Sequence, residues 1–163
     1  MARLFFALLI VSAALIQATI LPNLQVIGVL PDLVLVLLLL WSALRGMTEG
    51  AVWVFGTGLL LDLLAMDRFG TNGLALFVVA LLAGPARRRF FHSGLVFPIA
   101  LTVVATIAHA MILLLLRSGT GAALPLAAAF RLIVLQAMLN SLIVPPLYLV
   151  AGWMDRKVVP AHA

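Results

Sequence analysis

Six apolar runs follow one another along the chain, with only short polar breaks between them. A helix of about 20 apolar residues crosses the hydrocarbon layer of a bilayer. The runs cover residues 4–21, 26–44, 51–66, 69–84, 95–116 and 132–154. This pattern predicts an all-α, polytopic transmembrane helical bundle of about six spans. A single domain takes up residues 1–163, because no soluble domain fits between the runs. Hydrophobic residues make up 66% of the chain and charged residues 9%. A soluble domain holds about half apolar and a quarter charged residues, so lipid is the solvent this chain is built for.

The first run, with Arg3 before it and small residues within it, also has the features of a signal peptide. The five runs that follow favour an uncleaved helix. In the second run Gly28, Pro31 and Asp32 precede the leucine-rich stretch, so the regular helix is expected to start near Pro31. Proline suits a first turn, and Asp there faces the positive end of the helix dipole. A short helix preceded by a re-entrant or interfacial piece is the expectation. Arg45 to Gly50 reads as a tight polar turn and Asp67 to Gly73 as another. Pro85 to His92 reads as a basic loop. Gly119, Gly121 and Pro125 mark a further loop, and Ala122 to Phe130 suits the interface. Pro145 and Pro146 are expected to bend the last helix.

Basic residues punctuate the apolar runs. With six spans, one side holds Arg3, Arg45, the patch Arg87, Arg88 and Arg89, Arg156 and Lys157; the other holds Arg68, Arg117 and Arg131. The excess places both termini in the cytoplasm. The Arg87–Arg89 patch is expected to meet anionic headgroups or a cytoplasmic partner. A nucleic-acid binder would spread such charge over a soluble face, so no nucleic acid is expected. The chain has no cysteine and five acidic residues, and no nucleophile elbow, phosphate loop or metal signature. No catalytic residue, cofactor or metal is expected.

Polar residues inside the runs are the candidate sites. Asp62 interrupts Gly58-Leu-Leu-Leu-Asp62-Leu-Leu. A carboxylate at mid-bilayer costs about 2.5–3.5 kcal/mol on insertion scales. It is either a proton or substrate site or a buried group capping or pairing with another helix end. Its nearness to Asp67, hence to a membrane surface, favours the structural role, with Asn72 or the amides near Gly70 as partners. Asp32 and Arg45 flank opposite ends of the second run and read as separate anchors. Gly46 and Gly50 fit a turn. Gly56 and Gly58 cost about 1 kcal/mol each inside a helix, which close helix packing would explain. Thr102, Thr106 and His109 share one helical face, as do Gln136 and Asn140 with Ser141 beside them. Polar glue between the fifth and sixth helices is favoured over a solute cavity. His109 has no companion at metal-ligand spacing.

The stretch from Pro31-Asp32 through Arg45-Gly46, Gly50, Gly58-Leu-Leu-Leu-Asp62-Leu-Leu and Phe69-Gly70 resembles the bacterial rod shape-determining protein family MreD. Phe69-Gly70 departs slightly from the family's Leu-Gly. Asn140 with Pro145-Pro146 and a basic C-terminus is similar to the family's last helix. The resemblance covers nearly the whole chain and is strongest from Pro31 to Gly84. It implies a non-enzymatic scaffold of the cell-elongation machinery in the bacterial inner membrane. Such proteins bind MreC, a single-span protein with a periplasmic domain, and act with RodA, a class B penicillin-binding protein and MreB filaments in peptidoglycan synthesis. It also implies a fold like that of the substrate-binding subunits of energy-coupling-factor transporters, which supplies the alternative of a small-solute-binding transporter subunit. For the scaffold, small residues are the expected partner contacts. Gly56 and Gly58, with Ala13 and Ala14 in the first run, are those named.

Overall fold

The computed structural model describes residues 2–24, 29–66, 68–90, 94–118 and 125–158. Among these the chain forms six α-helices: α1 (Ala2–Thr19), α2 (Leu33–Arg45), α3 (Met47–Ala65), α4 (Thr71–Phe90), α5 (Val96–Ser118) and α6 (Leu126–Val158). A 3-10 turn, Leu21–Leu24, follows α1. Three helical stretches are long and apolar enough to cross a membrane: Met47–Ala65, Val96–Arg117 and Ala127–Val150. The apolar stretches of α1, α2 and α4 are shorter.

Helix α2 is the centre of the molecule and touches all five others. Every residue from Val34 to Leu44 is buried. A helix that is apolar all round belongs inside, and this one is leucine and valine on every face. Its 13 residues reach only about 20 Å at 1.5 Å per residue, against about 30 Å of hydrocarbon. Regular helix begins at Leu33, close to the start expected near Pro31, and residues 25–28 lie outside the described residues.

The polar turn expected from Arg45 to Gly50 is a single residue. Gly46 at φ 95° ends α2, donating its N–H to the Ser42 carbonyl at 2.8 Å, and α3 begins at Met47. Glycine takes that positive φ without a Cβ clash, so one residue reverses the chain. Gly50 is therefore inside α3 and is pressed against Ser42 of α2, where an added Cβ would overlap the serine side chain. The basic loop expected from Pro85 is helical as far as Phe90. Proline removes one backbone donor, and such a loss is tolerated in helices of membrane bundles. The side chains of Arg87, Arg88 and Arg89, and of Arg156 and Lys157, lie outside what is described. Helix α6 begins before residue 132, at Leu126, and runs through Pro145 and Pro146 to Val158.

Helices α3 and α4 make the most extensive pair. Two close approaches set their antiparallel register. Gly58 lies against the backbone of Gly73, and Gly84 lies against Met47, whose Cβ would be 2.6 Å from an added Cβ. At the end of the bundle where α1 starts, Phe6 stacks on Trp41 at 4.0 Å and meets Trp53 edge-on at 5.0 Å. Arg45 sits over the Trp41 ring at 5.4 Å, and Arg3 forks onto both Glu49 carboxylate oxygens at 3.2 Å.

Candidate functional site

Two buried polar clusters hold the acidic residues singled out above. The first joins α3 to α4. Asp62 is 1% exposed, yet three donors reach its carboxylate. The Gly70 N–H donates to Oδ2 at 2.6 Å, and Asn72 donates to Oδ1 through its backbone N–H at 2.9 Å and its Nδ2 at 2.8 Å. The first amides of α4 have no partner within their own helix. Asp62, projecting from the last turns of α3, serves them from a neighbouring helix. Met66 closes α3 in the left-handed conformation at φ 53°, and Gly70 at φ 90° completes the reversal. The Gly58–Gly73 contact one turn away brings α4 close enough for the bonds to form. These are the partners the sequence suggested.

The second cluster ties four helices together. Asp32 caps α2, its Oδ1 accepting from the Leu35 N–H at 3.0 Å and from Gln17 Nε2 of α1 at 3.1 Å. Gln17 Oε1 accepts from the Val34 N–H at 3.3 Å. The Asp32 backbone N–H donates to Asn140 Oδ1 of α6 at 2.7 Å, and Asn140 Nδ2 donates to Thr106 Oγ1 of α5 at 3.0 Å. His109 Nδ1 stands 3.7 Å from Asp32 Oδ2 with both side chains buried, beyond hydrogen-bond distance. Asp32 is thus a buried cap at the start of the central helix rather than a lone anchor. Of the expected glue between α5 and α6, the Thr106–Asn140 bond is present. Thr102 and Ser141 bond instead to carbonyls of their own helices, Pro98 and Ala137. Gln17 escaped sequence reasoning, although a long amide within an apolar run is the signal that could have found it.

Of the small residues expected to meet a partner, Gly58, Ala13 and Ala14 are used up inside the bundle: Gly58 is packed on α4, and both alanines are buried. Gly56 faces open space, with nothing within 4 Å of an added Cβ. Asn140→Leu is expected to strand the Asp32 amide and to leave α2 loosely held at its start. An unsatisfied buried donor costs about 1–3 kcal/mol, so the thermal midpoint in detergent should fall clearly, while Ser141→Ala should leave it near the wild-type value. Equal midpoints for Asn140→Leu and wild type would show that the cluster holds nothing.

Among the described residues no group of three His, Cys, Asp or Glu side chains is placed to hold a metal ion. The buried carboxylates serve helix ends, and Gly50, Gly58 and Gly84 serve helix contacts, within helices of which three can cross a bilayer. That defines a helical membrane protein whose buried polar groups hold its own architecture. The family profile of rod shape-determining protein MreD matches residues 1–152 of the 163, and the chain belongs to that family. Its role lies in rod shape determination, as a membrane component of the shape-determining complex. No curated protein and no solved structure matches the chain.

Proposed function

We propose that the chain is a non-enzymatic membrane scaffold of the cell-elongation machinery, which supports peptidoglycan synthesis by holding an MreC-like single-span protein. RodA and a class B penicillin-binding protein act in the same assembly. The family match over residues 1–152 is the observation that carries this reading. The engagement of Asp62, Asp32 and Asn140 with helix ends supports it, since a solute site would leave such groups turned to a cavity. In the same proposal residues 1–163 form one domain crossing the inner membrane six times with both termini in the cytoplasm. Its helices are arranged like those of an energy-coupling-factor substrate-binding subunit.

Two measurements test it. Reporter fusions at each end should both give cytoplasmic signals, and a periplasmic signal at either end removes the six-span arrangement. The purified chain should bring down a co-expressed MreC-like protein. Absence of that capture would sink the scaffold.

A further inference from the structure

The polar cluster at the start of α2 holds a titratable group that the architecture does not use. His109 is buried on α5, its side chain 5% exposed. Among the described residues its Nε2 has no hydrogen-bond partner. Its Nδ1 faces Asp32 Oδ2 at 3.7 Å, too far for a hydrogen bond. The threonines on the same face do without it. Thr102 donates to the Pro98 carbonyl, and Thr106 accepts from Asn140. A neutral imidazole has one donor and one acceptor nitrogen, whereas the imidazolium has two donors. The arrangement suits the neutral ring, with its proton on Nδ1 toward the carboxylate.

The geometry points to His109 as an acid-operated release: proton uptake by its ring unties α5 from the start of the central helix. The inference goes beyond the scaffold reading and does not rest on it. Protonation puts a second N–H on Nε2, where no acceptor waits. A buried charged donor without an acceptor costs more than a neutral one. Asp32 is the opposite charge beside the ring, but its Oδ1 already accepts from the Leu35 N–H and Gln17 Nε2. Closing Oδ2 onto the ring would turn that carboxylate and disturb the cap on α2. Arg117, eight residues along α5, adds a repelling positive charge. Helix α4, packed on α5, has no titratable side chain between Thr71 and Gly84. On α6 the titratable groups nearest Asn140 are Tyr148 and Arg131, eight and nine residues away. From α1 comes the neutral Gln17 amide. The protonated ring therefore moves until Nε2 meets water, and α5 moves with it. Helix α2 touches all five others, so loosening its start reaches the whole bundle.

The thermal midpoint in detergent should fall by about 4 °C between roughly pH 8 and pH 5.5. The sign follows from linkage: the unfolded chain binds the ring proton freely, so stability is lost as the pH falls through about 6.5. His109→Gln removes the titration and keeps a donor and an acceptor, and its midpoint should stay level over that interval. His92→Gln combined with His162→Gln leaves His109 as the single histidine of the three and should fall like the wild type. That variant carries the test even where His109→Gln does not fold. Its histidine-selective 15N spectrum should show a neutral ring protonated at Nδ1 at about pH 8. On acidification the Asn140 side-chain amide signal, assigned by its loss in Asn140→Leu, should shift in step with the ring. A wild-type midpoint that stays level or rises in acid overturns the inference. So does an equal fall in His109→Gln, because the acid sensitivity would then lie elsewhere. An Asn140 signal that ignores the titration of the ring overturns it as well.

Discussion

Gly58→Leu is expected to give no folded protein. A Cβ at position 58 would lie 2.7 Å from the Gly73 amide nitrogen and would overlap the Gly73 Cα. Both are backbone atoms, so no side chain can swing aside. The helices would have to separate along the most extensive contact in the molecule, and the Asp62 bonds to Gly70 and Asn72 lie one turn away. Overpacking a tight core costs about 1–3 kcal/mol where it can relax, and here the relaxation also breaks buried hydrogen bonds. Gly58→Ala tests the same contact with the smallest side chain and should lower the thermal midpoint in detergent clearly. Gly56→Ala, two residues along, should leave it unchanged or raise it, since alanine is the better helix former. Equal midpoints for Gly58→Ala and wild type would mean that the close approach is not needed.

The same pair of glycines shows where sequence reasoning ran out. Both were legible as residues wanting a close contact, but nothing indicated which contact. The apolar residues of α3 surround the helix, so no face stands out to say which glycine points inward. The short central helix was legible from Pro31 and Asp32, whereas its burial on every side was not, because lipid and protein interiors select the same leucines. Sequence separation explains the rest. The partners of Asp62 are 8 and 10 residues away, across one turn, and could be named in advance. Asn140 reaches the Asp32 amide across 108 residues, and no local pattern encodes that meeting. Runs of leucine mark helices reliably but mark their ends poorly. Helices α2 and α3 stop where Gly46 and Met66 take positive φ, α4 starts just after Gly70 does so, and α4 passes through Pro85 where a loop was expected.

Asp62→Leu is the companion experiment, because it removes the acceptor and not the space. Leucine resembles aspartate in length and suits the apolar surroundings, so any loss reports on hydrogen bonding. Three donors lose their acceptor: the Gly70 amide, the Asn72 amide and Asn72 Nδ2. Two of the three bonds are buried, and stranding a buried donor costs about 1–3 kcal/mol, so roughly 2–6 kcal/mol is expected. That is comparable with the whole stability of many domains, about 5–15 kcal/mol. Asp62→Asn separates shape from acceptor number. Turned with its oxygen toward Asn72, the amide keeps two bonds and presents its NH2 group to the Gly70 N–H, donor against donor. It should fold, with a midpoint between wild type and Asp62→Leu, and should still support rod shape in cells lacking the native protein. Asn72→Ala should fall near Asp62→Asn, and Asp62→Asn with Asn72→Ala should lose less than the two single changes added, since they share one network. If Asp62→Asn melts like the wild type but no longer supports rod shape, the charge of Asp62 has a function that capping α4 does not explain.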